Sequence, residues 1–456
     1  MMKSTITKYA TVIAFALCGA KMLAQTKFSG NILGAPQTSM SVIIEYFQED
    51  GWKNLTTIKE VTNGKFDAVI NFDHTGQYRI RMSTDPKKWS DFILVKGKIP
   101  ANGYDFSVKY ADLSGKPLPL ENSAEFNAYS IISELFNEVT LNPDSLPRES
   151  ILMLQKEKLL SLKCTQIALQ FPGTYSAEVL SKILPLNFAP SSEISESTKD
   201  SVYKFTCEHA FDNLLLNNDA SLNHIGLIRR LNLGYSYFES TGKPEQFIDA
   251  LMKKALVSEE MTAFMFKFLL DKMIDYKNEN GLSYLITWYS SDCSESEHVE
   301  SATKNLLTAL EKCKPGNTIE YLNLPNLSGK LVSSKNVISS NKVTILMFWK
   351  GTCSHCKEFH PELKRIYEKY HAQGLEIYGI GTDKLQEDWT TQAKANNSPW
   401  PDVFLSFENR KDFSKRFPVS GTPSFIAVDK NGKILRRMIM RSKFEEAVVE
   451  LMKEAQ

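Results

Sequence analysis

Cys353 and Cys356 stand two residues apart in the stretch FWKGTCSHCKEFHP, with His355 between them and Pro361 five residues beyond the second cysteine. Two thiols at this spacing suit a redox dithiol, half of a metal site, or plain core packing. An apolar run, VTILMFW, ends just before the pair, and a helical pattern begins at it. Cys353 is therefore placed at a helix start, where unpaired backbone N–H groups and the positive end of the helix dipole stabilise a thiolate below the free value of about 8.5. Cys356 lies one turn further on, within disulfide reach. Cys353 would attack and Cys356 would resolve the mixed disulfide. His355 is expected to lend a hydrogen bond or partial charge to the Cys353 thiolate, which stabilises the reduced pair and makes its disulfide a stronger oxidant.

The metal reading fails on ligand count. Structural zinc wants four ligands, and the chain has one CxxC, with His355, His360 and His371 spread along one helix. Covalent haem attachment wants histidine directly after the second cysteine, where Lys357 stands. A peroxidase of the TxxC type is disfavoured because Thr352 directly precedes Cys353. A second local signal comes some seventy residues later, in SGTPSFIAVDKNG. There Pro423 follows Thr422 and opens a strand, which makes the Thr422-Pro423 bond a candidate cis bond.

The elements that must hold these residues alternate between strand and helix from residue 315 to 456. VTILMFW, LEIYGIG and DVFLS read as strands, CKEFHPELKRIYEKYHAQG, QEDWTTQAKAN and ENRKDFSKRF as helices. SFIAVD and KILRRMI form a hairpin across Lys430-Asn431-Gly432, and SKFEEAVVELMKEA is a closing helix. This order implies a mixed central sheet flanked by helices.

The rest of the chain, 456 residues in all with a net charge of +1, has room for two further domains and shows no basic run that would suit nucleic acid. Residues 25–112 alternate in SVIIEYFQ, TTIKEV, KFDAVINF, YRIRMS and DFILVK, the signature of a small β-sandwich. Asn63-Gly64 suits a tight hairpin turn. Residues 113–314 turn helical, with apolar spacing of three and four in ILMLQKEKLLSLKCTQIAL and TAFMFKFLLDKMIDY. Residues 1–24 carry Lys3 and Lys8, an apolar run to Leu17, and small residues before a cleavage point after Ala24 or Ala20, the pattern of a signal peptide. An uncleaved leader would remain as a membrane anchor. Cys18 lies in this leader after Leu17, an unfavourable context for lipidation. Export makes structural disulfides permissible among Cys164, Cys207, Cys293 and Cys313, and Cys293 with Cys313 is one pairing alongside free thiols.

FWKGTCSHC, Pro361 and the GTP before a strand resemble the thioredoxin superfamily. KPGNTIEYLNLPNLSGKLVSS ahead of the strand is similar to its exported TlpA/ResA-like branch of disulfide reductases. The front of the chain resembles the β-rich domain fused to such enzymes in Bacteroidetes. The resemblance implies a thioredoxin-like fold over 315–456 and dithiol-disulfide exchange needing no bound cofactor beyond the Cys353–Cys356 disulfide. It makes Cys353 the nucleophile, Cys356 the resolving thiol, Pro423 the cis-proline, Pro361 the kink in the active-site helix, and Trp349 the ring under the site; Thr422 and Trp349 become the substrate-binding candidates. The family's buried acid six residues before the first cysteine is replaced by Met347, so Asp383 and Glu358 are the candidate proton acceptors for Cys356. The implied partners are cysteine-containing exported proteins and a membrane or periplasmic redox partner, in the periplasm or cell envelope of a Gram-negative bacterium. Disulfide reduction is the expected direction. Oxidation or isomerisation tuned by His355, and a non-catalytic client-binding scaffold, are the alternatives.

Overall fold

The computed structural model describes residues 24–36, 40–49, 51–120, 123–140, 150–187, 194–239, 243–292, 301–406, 413–419 and 421–455. The leader with Cys18, and Cys293 and His298, lie outside them. The chain divides into two compact units, Met1–Lys243 with Lys253–Met261, and Pro244–Met252 with Thr262–Gln456.

In the first unit two sheets face each other. One has the order β4-β1-β7 and the other β3-β2-β5-β6, from β1 (Ala24–Leu33), β2 (Val42–Gln48), β3 (Gly51–Ile58), β4 (Lys65–Phe72), β5 (Gly76–Met82), β6 (Trp89–Leu94) and β7 (Tyr104–Lys109). Phe28, Phe72 and Phe106 of the first sheet meet Ile44, Tyr78 and Phe92 of the second in one core, so the β-sandwich expected from alternation is present. Asn63 and Gly64 both take positive φ, as a tight turn requires. The turn does not pair its flanking strands into a ladder, however. Only Thr62 and Lys65 exchange backbone bonds, and β3 and β4 then enter different sheets. The strand expected at TTIKEV begins earlier, at Gly51, because β3 pairs along the whole of β2. β1, the central strand of its sheet, and β7, at its edge, are additions to the strands expected from the pattern.

The helical middle comprises α1 (Ala124–Thr140), α2 (Ile151–Gln170), a one-turn α3 (Ser181–Ile183), α4 (Lys199–His209), α5 (Ile225–Glu239), α6 (Pro244–Ala255), α7 (Glu259–Asp275), α8 (Glu279–Asp292) and α9 (Ser301–Lys312). Leu160 and Leu231 are buried within the first unit, and Leu269 within the second. Cys164 is a buried thiol, pushed up to about 12 by burial. Cys313 is also a buried thiol and donates to the carbonyl of Arg416 at 3.3 Å.

The second unit is built on a five-stranded sheet of order β12-β11-β10-β13-β14, from β10 (Val343–Trp349), β11 (Leu375–Gly381), β12 (Asp402–Phe404), β13 (Ser424–Asp429) and β14 (Ile434–Arg437), preceded by a small ladder of β8 (Asn323–Pro325) and β9 (Leu331–Ser333). β10, β11 and β12 are parallel, while β13 and β14 are antiparallel to their neighbours. α10 (Ser334–Ser339) packs on one face. α11 (Ser354–Tyr370), α12 (Gln386–Asn396) and α13 (Phe444–Glu454) pack on the other, over Val343, Ile345, Met347 and Trp349. β10 and β11 are buried along their whole length, as parallel strands covered on both faces must be. This is the thioredoxin-like α/β fold. Arg437 of β14, almost fully enclosed, ties α8 to the sheet through Glu279 at 2.5 Å and also donates to the Leu310 carbonyl of α9. Of the expected helix ENRKDFSKRF, residues 407–412 lie outside the described residues.

Candidate active site

β10, the central strand, ends at Trp349, and the following turn must fold back into α11. Asp383, just past β11 and fully buried, holds that turn. One carboxylate oxygen accepts the Gly351 N–H at 2.7 Å, and the other accepts the Thr352 N–H and hydroxyl, both at 3.1 Å. Gly351 also packs so tightly on α12 that a Cβ there would stand 2.5 Å from the Asp388 carbonyl oxygen. Asp383, a candidate proton acceptor from sequence, thus spends its oxygens on shaping the loop before Cys353.

Cys353 is the N-cap of α11, in extended backbone conformation. Its Sγ accepts the backbone N–H of Cys356 at 3.4 Å and, as a thiol, donates to the Thr422 carbonyl at 3.3 Å. The residue is partly exposed, and both cysteines are thiols. Burial alone would push the Cys353 thiol up. Hydrogen bonds to its sulfur, from Cys356 first and then Thr422 and the His355 backbone, outweigh burial and hold the group below its ordinary value. Cys356 is buried against Phe359 and Trp349. Burial, reinforced by its hydrogen bond to Cys353, pushes its thiol up to about 12. The pair is therefore split into an accessible sulfur that ionises easily and an enclosed one that does not.

The Thr422-Pro423 bond is cis, and the Thr422 carbonyl contacts the Cys353 sulfur. Pro423 lines a small surface hollow together with Phe348, Pro418, Met438 and two residues of the helical middle, Ile274 and Lys277. Those two were not flagged from sequence, since neither carries a motif. Pro361 sits inside α11, where it offers no N–H to the preceding turn.

Three expected roles are altered by the geometry. The His355 ring is exposed and lies 3.6 Å from Glu358, so what this residue gives the Cys353 sulfur is its backbone N–H. Neighbours three apart on a helix face each other, and the carboxylate of Glu358 claims the ring. Glu358 itself is exposed and is also approached by Arg441 at 3.7 Å, on the solvent side of α11 and away from the buried Cys356. Trp349 is 1% exposed, lies beneath the site, and donates from Nε1 to the Asp402 carboxylate at 3.0 Å.

The fold and the asymmetric dithiol beside a cis-proline define a thioredoxin-like protein built for thiol-disulfide exchange. Residues 340–434 match the family model described as thioredoxin-like. Tryparedoxin of Trypanosoma brucei brucei is 31% identical over 127 residues, 27% of this chain and 81% of that protein. The thiol-disulfide oxidoreductase ResA of Bacillus cereus is 23% identical over 129 residues, 28% of this chain and 72% of that protein. A solved thioredoxin domain of a thiol-disulfide oxidoreductase from Bacteroides vulgatus is 27% identical and covers 30% of this chain and 98% of its own, with a TM-score of 0.29. The chain belongs to the thioredoxin-like family of thiol-disulfide oxidoreductases.

Proposed function

We propose that the chain is an exported protein-disulfide reductase acting through Cys353 and Cys356. The carrying observation is the split between the two thiols, one held below its ordinary value at the start of α11 and the other pushed up to about 12 beneath it. In the reaction the Cys353 thiolate attacks a client disulfide and forms a mixed disulfide. Cys356 then attacks the Cys353 sulfur, closing the intramolecular disulfide and releasing the reduced client. The pair gives up two electrons and is its own redox centre, so no further cofactor is required. The His355 ring, exposed and turned towards Glu358, is not among the groups that lower the Cys353 thiol, which supports the reducing direction.

Export rests on the leader pattern of residues 1–24; among the described residues, no helix is long and apolar enough to cross a membrane. In the periplasm or cell envelope the partners would be cysteine-containing exported proteins, with a membrane or periplasmic donor to reduce the pair again.

Reaction of the reduced chain with an oxidised insulin-type disulfide substrate tests the reading. Cys353→Ser is expected to abolish turnover. Cys356→Ser is expected to stop at a mixed disulfide on Cys353, visible as a mass increment. Turnover that survives both substitutions would refute it.

A further inference from the structure

The family's buried acid is missing from β10, where Met347 stands, yet a carboxyl group reaches the same level of the sheet from elsewhere. Met347 pairs with Gly379 on β11, and Gly379 pairs with Asp402 on β12. The three residues form one row across the sheet. Gly379 has no side chain, and a Cβ there would collide with the Asp402 carboxyl at 2.8 Å. Asp402 thus lays its carboxyl over Gly379, towards β10, where it accepts the Trp349 Nε1–H at 3.0 Å. Trp349 and Met347 point into the same core as Cys356, beneath α11.

The carboxyl also has a route out. Ser398 approaches it, and the Ser398 hydroxyl pairs with His360 Nε2 at 3.0 Å. His360 is four residues after Cys356, one turn along the same buried face of α11. The ionisable groups that α11 turns to this face are Cys356, His360, Tyr367 and Tyr370, with Cys353 at its start and Lys364 beside His360. β11 contributes the bare Gly379, and α12 contributes Trp389, whose ring nitrogen comes near the carboxyl without completing a hydrogen bond. The influences on Asp402 are its burial and neutral donors, with burial dominant; its carboxyl is pushed up to about 7, poised to take or release a proton at neutral pH.

We propose that Asp402 is the proton-holding partner of the resolving thiol, taking the place of the absent β10 acid. This rests on the oxidoreductase reading above. In the second step the Cys356 thiol gives its proton to the Asp402 carboxylate. The Cys356 thiolate attacks Cys353 Sγ, the Cys353–Cys356 bond forms, and the bond to the client sulfur breaks. The client leaves as a thiolate and is protonated by solvent. Asp402 returns its proton outward past Ser398 and His360. The dithiol is oxidised by two electrons and the client disulfide is reduced, and at no point do two negative charges share the buried face. Asp402 takes the proton of the reacting thiol and so serves as the base for Cys356.

The full reduced chain reacting with DTNB separates the two steps, since Cys353 releases the first thionitrobenzoate and Cys356 the second. In Asp402→Asn the first release is expected to stay within about twofold, while the second slows by about 10²-fold at pH 7 and loses its titration near neutrality. Gly379→Ala, which displaces the carboxyl and leaves it ionisable, is expected to slow the second release in the same direction. A second-release pH profile unchanged in Asp402→Asn, or equal slowing of both releases, overturns the proposal. The unaltered chain gives an independent check. Its redox-difference infrared spectrum at pH 7 should contain a protonated-carboxyl band that changes with the state of the pair, and a spectrum lacking it overturns the proposal without any variant. Failure of the unaltered chain to release the second thionitrobenzoate would instead strike at the oxidoreductase reading itself, and at this inference with it.

Discussion

The sulfur of Cys353 accepts the backbone N–H of Cys356 at 3.4 Å, so the attacking residue caps the very helix that carries the resolving one. A cap that ionises gains from the N–H groups and dipole it faces, whereas Cys356 sits one turn inside, where burial dominates. Alkylation of the reduced chain with iodoacetamide at pH 7.5 should therefore label Cys353 first. Cys356, pushed up to about 12, should stay unlabelled on that timescale until the chain is unfolded. Peptide mass mapping reads the order, and equal labelling would contradict the asymmetry.

Asp383 carries the loop before Cys353. Asp383→Ala leaves the buried Gly351 N–H without its acceptor, at about 1–3 kcal/mol, and leaves the exposed Thr352 N–H to solvent. The variant is expected to melt earlier, and its Cys353 alkylation should slow because the cap is no longer held in place. Thermal unfolding together with alkylation rates checks both. Normal stability with slower alkylation would mean that Asp383 acts on the sulfur directly.

Asp402 makes stability depend on pH in a definite direction. Its carboxyl rises from 3.8 to about 7 on folding, because burial disfavours the charge. Its contribution is complete below pH 3.8 and is lost as the pH climbs through 7. Asn at this position is neutral throughout and keeps an acceptor for Trp349. Asp402→Asn should therefore gain stability relative to the parent between pH 4 and pH 8, by no more than about 4 kcal/mol. Denaturant melts at the two pH values measure it, and a gain that shrinks with rising pH would contradict the burial argument.

His355 gives the sulfur a backbone N–H, which alanine retains. His355→Ala should therefore shift the reduction potential by less than about 30 mV, the equivalent of ~1.4 kcal/mol. A larger shift towards reducing values would show that the ring reaches Cys353 in solution, as the sequence alone suggested.

Which of these features could be read in advance follows from how local they are. The placement of Cys353 at a helix start depends on a few adjacent residues, and α11 and α12 fall where their patterns put them, α11 closing before Gly374 at φ 101°. Pro423 is cis as the Thr-Pro before a strand suggested. Asp402 had no such signal. Its position follows from three strands lying side by side with Gly379 in the middle one, a matter of register that no short pattern records. The choice of His355 between sulfur and Glu358 is a contest of side-chain directions on one helix face. β1 and β7 join the sandwich through long-range register, β1 pairing antiparallel with β4 and in parallel with β7 across nearly eighty residues, which no short pattern records.

The central claim is that Cys353 and Cys356 exchange two electrons as one couple. Equilibrating the full chain against glutathione buffers of graded potential, with the disulfide located by peptide mass mapping, tests it most directly. The account expects a Cys353–Cys356 disulfide that forms and breaks with a two-electron midpoint near roughly −270 mV, the thioredoxin range. A midpoint near roughly −120 mV would contradict the reducing direction, and a chain in which that disulfide forms at no buffer ratio would contradict the account as a whole.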